Sequence, residues 1–267
     1  MKFVSGKPAA VAGKTLLVAD LHLGIEFELR RKGVRMPLQW KTAAQQISGL
    51  LTETRARELL VLGDAKHDVY GLEFKEKQMM RSFFNELLEA GCKKIIVAKG
   101  NHDGQLQELE WEGLIELIGP AGAVVSLEGK KYGVCHGHAW PAPELAKASL
   151  LLLAHNHPLI EFSDALGFKY AERAWIFGKT KKCRGYAASQ QAIVFPAFNT
   201  LSGGMAFNAR QCHELLGPLF ENECFDLENA EARLLTGVPL GKIRGLRGQS
   251  RTLKNYFVHK TTESLST

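Results

Sequence analysis

The sequence predicts an α/β chain built as a four-layer αββα sandwich, two mixed β-sheets packed face to face with helices outside. Three observations carry this. In the first hundred residues, short apolar runs alternate with amphipathic helical stretches, the pattern of βαβ units and a mainly parallel sheet. Beyond about residue 120, short strand candidates follow one another with turns between them and little helix. Polar residues gather directly after several of these runs, where open α/β sheets bind ligands.

Leu16-Leu17-Val18-Ala19 is a continuous apolar run closed by Asp20 and reads as a buried strand. Glu26 to Lys32 forms a short helix, stopped by Gly33 in the C′ position and by Pro37. From Lys41 to Arg57, Ala44, Ile47, Leu50 and Leu51 recur at helical spacing, and Leu59-Leu60-Val61-Leu62 is a second buried strand ending at Gly63-Asp64. Met79/Met80, Phe83/Phe84 and Leu87/Leu88 repeat every four residues within a helix from Phe74 to Ala90, terminated by Gly91. The apolar run Ile95-Ile96-Val97-Ala98 then ends in Lys99-Gly100-Asn101-His102-Asp103. Ala123 to Leu127, Tyr132 to Cys135, Leu151 to Ala154, Ala174 to Phe177 and Ala192 to Phe195 are five further strand candidates, with Glu128-Gly129-Lys130 as a hairpin turn. These elements predict one domain over residues 1–216. Residues 217–267 form a basic, turn-rich extension packed on or trailing from the core, with Gly237 to Gly248 lying loosely on it.

With 45% hydrophobic residues, 267 residues are ample for a full core, and no window offers 18 uninterrupted apolar residues. Met1 to Gly13 contains no apolar stretch of signal-peptide length, so the expected setting is the cytoplasm, away from membranes. Five cysteines (Cys92, Cys135, Cys183, Cys212, Cys224) are odd in number and scattered without a C-x-x-C pair, which predicts buried free thiols rather than a disulfide framework or zinc ribbon. The net charge of +6 suits a polyanionic partner. The densest basic stretch, Lys242 to Lys260, holds Lys242, Arg244, Arg247, Arg251, Lys254 and Lys260 without an acid, and reads either as a solvated tail or as a nucleic-acid contact. Smaller clusters are Arg30-Arg31-Lys32 with Arg35, and Lys179, Lys181, Lys182 and Arg184.

The strongest compositional fact is where the histidines fall. His22, His67, His102, His136, His138, His155 and His157, seven of the nine, lie in or just beyond strand ends; His213 and His259 do not. One buried histidine is an ordinary core residue. Seven imidazoles with Asp20, Asp64 and Asn101 are not desolvated together without a cation or many hydrogen bonds. Mixed Asp, His and Asn donors suit Mn, Fe, Zn or Ni, and the number of donors suits two divalent ions sharing a bridging carboxylate, a pairing used in phosphate-ester hydrolysis.

The ordered series Asp20-x-His22, Gly63-Asp64, Gly100-Asn101-His102-Asp103, His136-Gly137-His138 and His155-x-His157 resembles the five blocks of the calcineurin-like metallophosphoesterase superfamily. Asp20-Leu21-His22-Leu23-Gly24, Gly63-Asp64-Ala65-Lys66-His67 and Pro196-Ala197-Phe198-Asn199 are similar to its archaeal and bacterial ICC-like branch, some of whose bacterial members are ligase-associated DNA-damage-response phosphoesterases. Two positions depart: His67 stands where the superfamily usually has Asp, and Ala154 where it usually has Gly. The resemblance implies Asp20, His22 and His157 on one metal, Asn101, His136 and His155 on the other, and Asp64 bridging, with Mn²⁺ the expected ion. A hydroxide shared by the ions would attack phosphorus, and His102 would protonate the leaving oxygen. Asp103 either orients the His102 ring or caps the following helix. His67 and His138 are expected as substrate contacts or donors behind the ligands; Lys66 either meets a phosphate oxygen or is a solvated loop residue. The activity so implied is that of a phosphodiesterase on nucleic acid or nucleotides. The alternatives are a phosphomonoesterase and a silent binding module, the last disfavoured because the ligand blocks and the third-block histidine are complete.

Overall fold

The structure, a computed structural model, describes residues 1–69, 74–164, 166–183, 186 and 189–248. The first sheet holds β1 (Lys2–Phe3), β2 (Ala10–Ala12), β3 (Thr15–Val18), β4 (Glu58–Val61), β5 (Lys94–Ala98) and β6 (Glu116–Ile118), in that spatial order. β1 to β3 pair antiparallel; β3 to β6 are parallel. The crossovers that parallel pairing requires are α1 (Ile25–Arg31), α2 (Gln39–Thr54), α3 (Phe74–Glu89) and the short α4 (Gln107–Trp111).

The second sheet has nine strands: β7 (Ala123–Leu127), β8 (Lys130–Val134), β9 (Leu150–Leu153), β10 (Pro158–Ser163), β11 (Lys169–Lys179), β12 (Gln191–Val194), β13 (Met205–Ala206), β14 (Glu231–Leu234) and β15 (Pro239–Lys242). β9 lies between β8 and β12 and runs parallel to both, so the sheet is mixed. The β7–β8 hairpin turns on Glu128 (φ 51°) and Gly129 (φ 71°), the left-handed pair of a type I′ turn.

Side chains alternate across the first sheet, and this builds two cores from one apolar run. Leu16, Val18, Leu59, Val61, Ile95 and Val97 face Ile47, Leu51, Phe83 and Phe84 in one cluster with α2 and α3. Leu17, Leu60 and Ala98 face the other way, against Leu152, Trp175, Ile193 and Phe195 of the second sheet. Burial on both faces explains why these strands are uniformly apolar. The far face of the second sheet is closed by a third cluster, including Phe220, Phe225 and Ile243, under 3-10 turns and the short helices α5 (Pro218–Glu221) and α6 (Ile243–Leu246). The layers are those of the predicted sandwich, with a thinner outer layer on this side.

Three expectations change. Of the two alternatives for the extension, residues 217–248 take the packed one, and as part of the sheet rather than loosely: β14 pairs with β11, and Phe220, Phe225, Ala232, Leu240 and Ile243 are buried in the third cluster. Its sequence reads as turn-rich because the strands are four residues long and the one beside β11 alternates exposed and buried positions. Cys183 and Cys224 are not free thiols but form a disulfide, with Cα atoms 5.6 Å apart; the 41-residue separation leaves no local signature. Cys92 and Cys135 are buried free thiols and Cys212 is half-buried. Of the basic stretch, Arg247 is committed to the fold, pairing with Glu228 at 2.7 Å and donating to the Arg210 carbonyl. Arg251, Lys254 and Lys260, like Arg184 and His259, lie outside the described residues. Among the described residues no helix is long and apolar enough to cross a membrane.

Candidate metal centre

β3, β4 and β5 end on one edge of the first sheet, and β8 and β9 end on one edge of the second. The chain turns sharply after each. Asp20 (φ 53°), His22 (φ 41°), Asp64 (φ 49°), His155 (φ 72°) and His157 (φ 44°) all take left-handed backbone conformations. Each costs roughly 1–3 kcal/mol in a non-glycine residue. Only nine such residues are described, so strain is concentrated at this one place. Glycine gives the approach its room: a methyl group on Gly63 would meet the His136 ring, and one on Gly100 the Asp64 carboxylate.

Possible ligand atoms of Asp20, His22, Asp64 and His157 lie within 4.8 Å of one another, as do those of Asp64, His136 and His155. The two groups share Asp64. His136 Nε2 stands 3.3 Å from Asp64 Oδ2, His157 Nε2 3.3 Å from Asp20 Oδ1, and His22 Nε2 3.2 Å from His157 Nε2. Backbone carbonyls fix the rings from behind. His136 Nδ1 donates to Leu62 O (2.8 Å), and His157 Nδ1 faces Ser202 O (3.2 Å), so each presents Nε2 to the cluster. His22 and its neighbours are held by Asn199, whose Nδ2 donates to Leu21 O (2.8 Å) and His22 O (3.3 Å).

The donor set fits divalent cations. Asp20 is fully buried and no well-aligned hydrogen bond reaches its carboxylate, whose nearest imidazole nitrogen is His157 Nε2 at 3.3 Å, so a cation can bind there without displacing a bond. Burial drives His22 down to about 3 against the pull of Asp64, and drives His155 to about 3 with His136 beside it. Both are therefore neutral imidazoles with lone pairs to give. Burial would also lower His136, but Asp64 and then Asp20 lift it to about 9; Asp20 likewise raises His157 against its burial. Asp64 resists the upward push of burial because His136, His22 and His102 hold it well below the carboxylate range.

The remaining predicted residues fall into three situations. His102 borders the cluster, with Nε2 3.9 Å from Asp64 Oδ2, and its Nδ1 is hydrogen-bonded to the His67 carbonyl. Asn101, beside it, is exposed. Asp103 neither orients that ring nor caps α4, whose cap position is Leu106. It is fully buried and staples two loops together, Oδ1 accepting from Ala65 N (2.8 Å) and Lys66 N (3.3 Å) and Oδ2 from Gly100 N (2.9 Å). Burial and then the charge of Asp64 raise it to about 6. Lys66 is not a solvated loop residue: it is fully buried, and Nζ donates to the Asp68 carbonyl. His138 lies beside His136 and His155, at ring separations of 5.4 and 6.1 Å, and burial lowers it to about 4.

His67 forms a third group with His22 and His102 and is held from outside by Glu28, whose Oε2 lies 2.6 Å from its Nε2. Glu28 is kept at about 2, first by Lys32 and then by His67. The sequence offers no sign of this: Glu28 reads as one arm of an ordinary i,i+4 pair with Lys32 on α1. Asn199 belongs to a quoted motif, but its hold on residues 21 and 22 crosses 177 positions of chain.

Fold and cluster together define a class: two packed mixed sheets carrying a carboxylate and imidazole cluster at converging strand ends. No family model matches the chain, and no curated protein matches it. Among solved structures, its fold is that of the Pseudomonas putida nuclease MPE, at 18% sequence identity and a TM-score of 0.53 over 85% of this chain and 88% of that one. Yfce, a phosphoesterase from E. coli, overlaps at 16% identity and a TM-score of 0.39 over 72% of this chain and 83% of its own. An archaeal phosphodiesterase does so at 14% and 0.37, over 71% of this chain and 87% of its own. The latter two overlap too loosely to add to the shared fold.

Proposed function

We propose that this chain is a metal-dependent phosphoesterase of the calcineurin-like kind, working as a phosphodiesterase on nucleic acid or nucleotides with two divalent cations, Mn²⁺ first among them. The observation that carries the reading is the pair of donor groups sharing Asp64, with the buried carboxylate of Asp20 unbonded in one of them. Asp20, His22 and His157 would hold one cation, His136 and His155 with Asn101 the other, and Asp64 both. Held by these residues, divalent cations would supply charge for the phosphoryl oxygens and would activate water near neutral pH. His102 does the proton work. Its Nδ1 is committed to the His67 carbonyl, so a proton on Nε2 points at the cluster and can pass to the leaving oxygen. Asp103 keeps the two loops in register rather than acting on the ring. The nucleic-acid part is supported by the excess of Lys and Arg over Asp and Glu, 34 against 28, and the similarly folded P. putida protein is a nuclease.

The test is hydrolysis of bis-p-nitrophenyl phosphate and of p-nitrophenyl phosphate by protein loaded with Mn²⁺, with metal content measured in parallel. The diester is expected to turn over, and His102→Ala to lose about 10²–10⁴-fold in rate while keeping its metals. A chain carrying two metals that cleaves neither compound overturns the enzymatic reading. Preference for the monoester overturns the diesterase part.

A further inference from the structure

The Pro196–Asn199 segment does more than hold the cluster. Its backbone leads from the cluster to a polar cavity that the proposed chemistry leaves unused. Phe198 N and Asn199 N donate to the carbonyls of Ala19 (2.8 Å) and Asp20 (3.2 Å). On its other side the carbonyls of Ala197 and Phe198 accept from Arg173 Nη1, at 3.0 and 3.3 Å. Next to this segment lie two concavities that share Gln46, Phe198 and Thr200. The smaller opens against His22 of the cluster. The larger, about 320 Å³, is lined by Lys7, Gln45, Glu53 and Arg173 beside the shared residues.

Arg173 is what makes this cavity a built site. Arg173 is half-buried and its guanidinium is anchored through Nη1 alone; Glu172, its neighbour in sequence, acts on it only through charge, and among the described residues no carboxylate lies within ion-pair distance of it. An arginine stays charged in such a place, so its remaining N–H groups are left to solvent or to a ligand in the cavity. Lys7, exposed on the rim, adds a second cation; Glu53 is the one opposing charge. Gln45, Gln46 and Thr200 add neutral donors. Two cations against one carboxylate, with a forked donor fixed at the wall, suit a phosphate group. A volume near 320 Å³ lies within the range of about 300–1,000 Å³ for small-ligand pockets.

We propose that this cavity is a second phosphate subsite, in which Arg173 and Lys7 hold a phosphate of a nucleic-acid strand next to the one at the cluster. The inference rests on the phosphodiesterase reading and deepens it: the substrate is a strand with at least two phosphates rather than a small diester. Arg173 then has two tasks, since the Nη1 that fixes the path toward Asp20 leaves its other N–H groups for the strand.

The experiment reads binding, so it does not depend on turnover. Anisotropy of a labelled single-stranded oligonucleotide of eight thymidines is followed over a salt series with metal-free protein in EDTA. Lys7→Glu, Arg173→Gln and, as a control, Lys93→Glu are compared with wild type. Lys93 lies with Lys14, Arg55 and Arg57 around a separate basic concavity of about 580 Å³ at the opposite ends of β3, β4 and β5. Lys7→Glu and Arg173→Gln are each expected to weaken binding about tenfold, as for a hydrogen bond to a charged group. Each should also flatten the slope of log affinity against log salt by about 0.7, the single-strand value per phosphate. Lys93→Glu should change neither. Lys7 is exposed, and among the described residues its side chain makes no hydrogen bond or ion pair, so its variant reads the subsite even where Arg173→Gln unfolds. Absence of wild-type binding, or binding lost in Lys93→Glu but kept in Lys7→Glu, overturns the subsite. Wild type that binds as expected yet cleaves no diester when loaded with Mn²⁺ overturns the enzymatic reading and leaves the subsite standing.

Discussion

The two halves of the cluster are built from the same residue types but differ in charge and support. Asp20, His22, Asp64 and His157 offer two carboxylates and two imidazoles; Asp64, His136 and His155 offer one and two. The first half is tied from the second sheet's side of the chain, through Asn199 on residues 21 and 22 and Ser202 on His157. The second is tied from the first sheet, through Leu62 on His136. Neither half is complete within one sheet. The inter-sheet core of Leu17, Leu60, Leu152 and Phe195 therefore does chemical service as well as structural, because it sets the distance between the two sets of strand ends.

The largest way to break the comparison is to remove what the halves share. Asp64→Asn is expected to lose both metals on dialysis and to lower diesterase activity by about 10³-fold or more, since cation catalysis is worth several kcal/mol and about 1.4 kcal/mol is a factor of ten. Elemental analysis checks the first part and a rate assay the second. Loss of only one metal would show that Asp64 serves one half. A smaller and more selective change is Asn199→Ala, which removes the side-chain hydrogen bonds to the Leu21 and His22 carbonyls, keeps the backbone bond to Asp20, and touches nothing behind His136. Groups that orient ligands are typically worth about 10–100-fold in metal affinity. One of two binding steps in a titration should weaken by that amount while the other stays put; equal weakening of both would make Asn199 a general fold residue.

How far the sequence announced this site follows from the range of the interactions. Each ligand block is local, a strand followed by a polar dipeptide or tripeptide, and Asp20-x-His22 or His155-x-His157 is visible in three letters. The faces of β3, β4 and β5 follow from alternation, and α2 and α3 from their four-residue repeats. What escaped is long-range or too short to be periodic. β14 joins β11 across more than fifty residues, the Cys183–Cys224 bond spans 41, and Asn199 reaches back to His22. Asp103 and Lys66 differ for another reason: read locally, Asp103 orients the next ring or caps a helix and Lys66 meets a phosphate or solvent, and nothing local says that a neighbouring loop will close over them.

The finest distinction between the halves is protonic. Without metal, each half holds one imidazole that burial keeps neutral, His22 or His155, and one whose pKa a carboxylate raises, His157 or, most strongly, His136. A charged imidazole gives up its proton before it can ligate. His136 faces both Asp64 and Asp20 and is held at about 9, so at neutral pH a cation entering the second half displaces a proton. Affinity there should fall by about tenfold for each pH unit below that value, the dependence expected of one competing proton. His22 and His155, at about 3, add no proton competition until the solution is strongly acidic. Calorimetric titration with Mn²⁺ at pH 7, in buffers of different ionisation enthalpy, should therefore report a proton released as the second half fills. A heat independent of buffer at both steps would mean that His136 is already neutral, and that the carboxylate beside it is claimed by something other than the ring.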